Sequence, residues 1–237
     1  MTVETIVANI TGNPKEDDKI YDKAGEILRA GGLVAFPTET VYGLGADALD
    51  VKASAKIYAA KGRPSDNPLI VHIADMDALY KLSSEVPKTA LKLAEKFWPG
   101  PLTMILKKSD IVPDSITGGL GTVAIRMPSH KVAAELIRKS GVYIAAPSAN
   151  TSGKPSPTLA SHVIKDLSGK IDMIIADDTV DIGVESTIID LSEEVPAILR
   201  PGYITKEMFE EVIGRVTIDP AITDGVKAGV VPRAPGM

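Results

Sequence analysis

Two periodicities alternate along the chain: short apolar runs of strand length, and longer segments whose apolar positions recur every three or four residues. Ile20, Ala24, Ile27 and Leu28 share one face of a predicted helix over residues 15–30, which Gly31-Gly32 stops. Val51, Ala55, Tyr58 and Ala59 predict a second helix. Further faces come from Ala90, Leu91, Ala94, Phe97 and Trp98, from Val132, Ala133, Leu136 and Ile137, and from Met208, Phe209, Val212 and Ile213. Strands are expected near residues 2–10 and at 33–36, 69–73, 102–106, 123–127, 143–146, 173–175, 186–191 and 197–199. This order predicts an α/β fold of α+β character, with a sheet that need not be purely parallel.

Composition narrows the picture. The 237 residues are 44% hydrophobic and 24% charged, ordinary for a soluble domain with a sizeable core. Helical periodicity fades after Gly214, so the expected organisation is one main domain, 1–214, and an extended tail or truncated linker, 215–237. No apolar run approaches the roughly 20 residues of a membrane span, and Met1-Thr2-Val3-Glu4-Thr5 does not read as a signal peptide. A cytoplasmic location without membrane partners is expected. With no cysteine, disulfides and thiolate metal sites are excluded. The net charge of −5 argues against a dominant electrostatic grip on nucleic acid. Lys61, Arg63, Arg126, Lys154 and Arg200 are scattered in sequence, and their convergence would still make a basic cleft.

Two loops carry the candidate chemistry: Lys61-Gly62-Arg63-Pro64-Ser65-Asp66-Asn67-Pro68-Leu69 and Pro147-Ser148-Ala149-Asn150-Thr151-Ser152-Gly153. An Arg fork matches phosphate oxygens in pairs and a Lys supplies a mobile point charge, so the pairing suits a polyphosphate. The same Lys and Arg also fit a helix C-terminus with Gly62 as its cap. Ser148 and Asn150 equally fit a local turn. Gly43-Leu44-Gly45-Ala46-Asp47-Ala48 matches G-x-G-x-x-A, but it starts several residues after the strand at 33–36, so it is rejected as a dinucleotide fingerprint. No Walker A sequence occurs. His72, His130 and His162 lack metal-ligand spacing, and no G-x-S-x-G elbow supports a Ser148–His72 hydrolase.

Seven ordered segments, from about Gly31 to Gly202, resemble the Sua5/YrdC family: Phe36 to Gly45, Lys61 to Ile73, Phe97 to Thr103, Val123 to Pro128, Ala146 to Gly153, Glu185 to Asp190 and Leu199 to Gly202. The resemblance implies a YrdC-type twisted, mostly mixed sheet with flanking helices around a basic concave cleft. It also implies synthesis of threonylcarbamoyl-adenylate and pyrophosphate from L-threonine, bicarbonate and ATP, for modification of tRNA adenosine 37. The class implied is a nucleotidyltransferase, with the tRNA-modification machinery receiving the product and Mg²⁺ carried on the ATP phosphates.

The resemblance maps the threonine pocket onto Thr40, His72, Arg126, Ala146 and Ser186. It maps the nucleotide onto Lys61, Arg63, Asn67, Thr122, Ser148, Asn150, Ser156 and Arg200, with Lys61 and Arg63 as the catalytic cations and no protein metal ligand. Read without it, Thr40 also fits an N-cap, His72 a solvated strand face, Ser186 a strand-end backbone bond and Arg200 a surface turn. Arg126, inside an apolar run, needs a partner if buried, and a substrate carboxylate is a good one. Glu39 and Glu185 are expected to pair with cations and are assigned no general-base role. Ala234-Pro235-Gly236-Met237 resembles the opening of the linker in the longer Sua5 branch. The competing class is a noncatalytic RNA-binding module using the same basic cleft, although an aromatic content of 4% offers few stacking platforms.

Overall fold

The computed structural model describes residues 3–62, 67–177 and 179–223. Its strands are β1 (Ile6–Asn9), β2 (Val34–Phe36), β3 (Gly43–Asp47), β4 (Ile70–His72), β5 (Leu102–Lys107), β6 (Thr122–Arg126), β7 (Ile144–Ala146), β8 (Met173–Ala176), β9 (Thr187–Asp190), β10 (Ala197–Arg200) and β11 (Thr217–Ile218). They join in one sheet, in the order β1-β8-β2-β3-β7-β4-β6-β5-β9-β10-β11. Parallel and antiparallel pairings are mixed throughout: β4 runs parallel to β6 but antiparallel to β7. The helices are α1 (Pro14–Arg29), α2 (Val51–Lys61), α3 (Met76–Leu82), α4 (Lys88–Phe97), α5 (Asp114–Thr117), α6 (Lys131–Ser140), α7 (Ala160–Leu167), α8 (Lys206–Ile213) and α9 (Pro220–Thr223).

Strand alternation sends successive side chains to opposite faces of this sheet. Val34, Phe36, Ile144, Ala146, Met173 and Ile175 pack with Tyr21, Ala24 and Leu28 of α1 and Val132, Ala133 and Leu136 of α6. Their neighbours Ala35, Ala145 and Ile174 face the larger cluster that holds Ile57, Leu79, Leu93, Val163 and Phe209, so the other helices cover that side. Farther along the α1/α6 face, Ile70, Ile105, Ala124, Ile188 and Leu199 form a small cluster of strand residues alone. That stretch, without a covering helix among the described residues, is where a cavity opens.

Three expectations need correction. The predicted face of α2 holds for Tyr58 but not for its other three residues: Val51 is 53% exposed and Ala55 and Ala59 are exposed, while Ala53, Ser54, Ile57 and Lys61 join Tyr58 on the buried side. Alanines carry little directional signal, and the bulkier Ile57 and Tyr58 set the face. Residues 43–47, rejected as a dinucleotide fingerprint and not expected as a strand, are the buried strand β3. A Cβ on Gly45 would lie 2.6 Å from Ile144 Cγ2 and 2.9 Å from Phe36 Cε1, so close packing demands glycine where strand propensity disfavours it. The folded body also passes Gly214, since Val216 is buried and Thr217–Ile218 pairs with β10. The remainder of the expected tail, beyond Thr223, lies outside the described residues.

Candidate functional site

The cavity has a volume of about 420 Å³, within the range of small-molecule sites. β4, β6 and β5 lie side by side, and their register sets His72, Arg126 and Thr103 in one row. Arg126 is only 3% exposed; its Nη1 donates to Thr40 Oγ1 at 2.9 Å and its Nη2 lies 2.7 Å from Glu39 Oε1. The Glu39 contact is a close ion pair without hydrogen-bond alignment, and Nε has no hydrogen-bond partner. Burial is the largest single influence on Glu39 and raises its pKa, but the Arg126 contact and the nearby backbone amides of Glu39 and Ser129 together outweigh it and hold the carboxyl below its usual range. Thr40 is therefore no N-cap; the turn is closed by Thr38, whose hydroxyl accepts from the Thr40 and Val41 amides at 3.2 Å each.

His72 is buried, not on a solvated face, and its Nδ1 lies 3.2 Å from Ile70 O. Burial, reinforced by the nearby Arg126 charge, pushes its pKa down to about 3, so the ring is neutral at pH 7. Ser186 is 1% exposed, with its hydroxyl 2.7 Å from Thr103 Oγ1. Arg200 is no simple surface residue: Nε and Nη2 donate to Ser186 O at 3.1 and 2.9 Å, and Nη2 reaches Ser186 Oγ at 3.0 Å. Gly202 permits this corner, because a Cβ there would meet Glu185 O at 2.5 Å and Thr187 N at 2.7 Å.

The opposite wall comes from α2 and the loop after β7. Gly62, with φ 63°, is the αL cap that ends α2. Lys61 projects from the buried face of the same helix and is 4% exposed. Its ammonium donates to Ser148 O, to Asn150 O at 2.6 Å and, more weakly, to Asn150 Oδ1 at 3.4 Å. Ser148 Oγ donates to Asn150 Oδ1 at 2.5 Å, and Asn150 Nδ2 donates to the carbonyls of Thr151 and Lys154 at 3.0 and 2.7 Å. The helix-cap and local-turn readings thus hold together with cavity lining. At the mouth, Ser156 donates to Glu185 Oε1 at 2.6 Å and Lys154 pairs with Asp166 at 2.6 Å.

Thr40, His72, Arg126, Ala146 and Ser186 all line this cavity, as do Lys61, Asn67, Ser148, Asn150, Ser156 and Arg200. Thr122 does not: it opens β6 opposite Lys107, four residues before Arg126, and a strand of that length carries it roughly 13 Å away. Arg63 lies outside the described residues. Of the other scattered cations, Lys61, Arg126, Lys154 and Arg200 converge here, with Glu185 the one carboxylate among the described lining residues. An acidic protein therefore holds a basic cavity. Thr38 and Thr103 were not assigned from sequence, and Glu39, expected to pair with a cation, was given no particular partner; the structure supplies Arg126. Among the described residues no three His, Asp or Glu side chains assemble as a metal cage.

A family model described as "Telomere recombination", covering the Sua5, YciO and YrdC proteins, matches residues 26–202. The chain belongs to the Sua5/YciO/YrdC family. It is 55% identical over 233 residues to the threonylcarbamoyl-AMP synthase of Pyrococcus abyssi, covering 98% of this chain and 67% of that protein. The enzyme of the same name from Bacillus subtilis is 51% identical over 230 residues, covering 97% of this chain and 66% of the relative. The chain thus spans about two thirds of the length of these family members. A crystal structure of P. abyssi Sua5 complexed with L-threonine superposes with a TM-score of 0.91 at 52% identity, over 98% of this chain and 67% of that one. The mixed sheet with flanking helices is the architecture of this family.

Proposed function

We propose that the chain is the catalytic domain of an L-threonylcarbamoyladenylate synthase, a nucleotidyltransferase that makes threonylcarbamoyl-AMP and pyrophosphate from L-threonine, bicarbonate and ATP. The observation that carries this reading is that a carboxylate receptor and a cationic, hydroxyl-lined wall open onto one cavity. Arg126 meets the threonine carboxylate through donors that the protein leaves unsatisfied, beside Thr40, neutral His72 and Ser186. Lys61, Arg200, Ser148, Asn150 and Ser156 meet the nucleotide, with Arg63 supplied from the adjoining segment.

The amine of threonine attacks the carbon of bicarbonate, forming a C–N bond and releasing water to leave a carbamate. A carbamate oxygen then attacks the α-phosphorus of ATP, and pyrophosphate departs with the bonding electrons of the α–β bridge. Alignment and charge neutralisation supply the catalysis, so no side-chain nucleophile is needed. Mg²⁺ arrives on the ATP phosphates and offsets their charge. The product passes to the tRNA-modification machinery in the cytoplasm; no helix among the described residues is long and apolar enough to cross a membrane.

The test is incubation with labelled bicarbonate, L-threonine and MgATP. Threonine-dependent pyrophosphate and a labelled adenylate are expected, both lost with EDTA and restored by Mg²⁺. Intact ATP binding without either product refutes the reading for this chain.

A further inference from the structure

The proposed carboxylate receptor has a buried anionic neighbour that the reaction steps leave unused. Glu39 is 4% exposed and Arg126 3%, and their charged atoms lie 2.7 Å apart. Charges this deep are costly unless matched, so each fixes the other. The backbone beneath Glu39 is held independently: Thr38 Oγ1 donates to Val41 O at 2.6 Å, and Glu39 O accepts from Ile182 N at 2.9 Å, tying the turn to the segment that leads into Glu185 and Ser186. Behind Glu39 lies a second cavity of about 300 Å³, also lined by Asp17, His130, Lys131, Asp177 and Asp181. Three carboxylates on that side against one ammonium disfavour an outward swing of the Glu39 carboxylate and leave Arg126 as its partner.

We infer that Glu39 is the positioning residue of the amino-acid carboxylate site: it fixes the Arg126 guanidinium with Nε unsatisfied and cancels its charge while the site is empty. The inference rests on Arg126 receiving the substrate carboxylate. With Nη1 held by Thr40 and Nη2 beside Glu39, the guanidinium plane cannot rotate freely, so an arriving carboxylate meets donors already oriented. The matched charge also stops small inorganic anions from settling on Arg126 in place of threonine.

The experiment is calorimetric titration of L-threonine into the full nucleotide-free chain for wild type, Glu39→Gln, Arg126→Gln and the double variant. Glu39→Gln should weaken threonine binding roughly tenfold, leave ATP affinity unchanged and make threonine binding newly sensitive to chloride. A merely structural role moves none of these selectively. The double variant should bind threonine as Arg126→Gln does, because Glu39 acts only through Arg126. Wild-type affinity in Glu39→Gln overturns the inference, and so does a double variant that differs from Arg126→Gln. That second comparison decides the matter by itself if Glu39→Gln does not fold. A wild type that binds no threonine removes the proposed function, and the inference with it.

Discussion

Replacing Lys61 with Met separates two roles of one ammonium. The substitution keeps the apolar stem packed in α2 and deletes the charge that bridges Ser148 O and Asn150 O. Two carbonyls lose their cation, and an orphaned buried acceptor costs about 1–3 kcal/mol, so the gross loss is about 2–6 kcal/mol. Removing a desolvated ammonium returns part of this, leaving a net loss of about 2 kcal/mol. For a chain of this size that is a fall in Tm of roughly 4–8 °C. Differential scanning calorimetry without nucleotide should show this shift, and added ATP should stabilise Lys61→Met far less than wild type, because ligand stabilisation follows affinity. An unchanged Tm in the nucleotide-free variant refutes the claim that Lys61 organises the loop.

Other outcomes follow from the same geometry. His72 is neutral in the fold with a pKa near 3, whereas the unfolded chain takes up its proton near the ordinary value; stability is full above about 6.5 and is lost as pH falls toward 3. Between pH 6.5 and 5 the loss from His72 is about 2 kcal/mol, and His72→Asn should flatten the acid limb of a urea-denaturation series accordingly. His130, also shifted down by burial, leaves a residual slope. Gly202→Ala forces backbone at Glu185 and Thr187 apart, which should cost about 1–3 kcal/mol in thermal unfolding and raise KM for threonine through Ser186. Arg126→Lys retains the charge but not the fork, so threonine affinity should fall by about 1.5–3 kcal/mol in calorimetry.

Sequence periodicity located most strands because their residues are β-branched or apolar and buried on both faces, as in Val123 to Ile125 and Thr187 to Ile189. It failed at β3, where packing against Ile144 and Phe36 selects glycine over any strand former. It also failed on α2, whose alanines fit either face. The site was legible as a set of residue types and a family resemblance, but not as contacts. Nothing in the spacing shows that Glu39 meets Arg126, or that Thr103 meets Ser186, because each pairing joins residues 87 and 83 positions apart through the sheet. Thr122 illustrates the converse: it shares a short strand with Arg126, yet strand rise separates the two.

The placement of Lys61 makes the length of α2 a constraint on chemistry. Each residue turns a helix by about 100°, so one inserted anywhere between Asp50 and Lys61 would swing the terminal ammonium off the inward side and leave the 148–150 carbonyls facing an empty gap. Substitutions on the outer surface of this segment are tolerable, whereas single-residue insertions and deletions are not. Among related chains, the count of residues from the Asp50 cap to the Gly62 turn should vary far less than their identities.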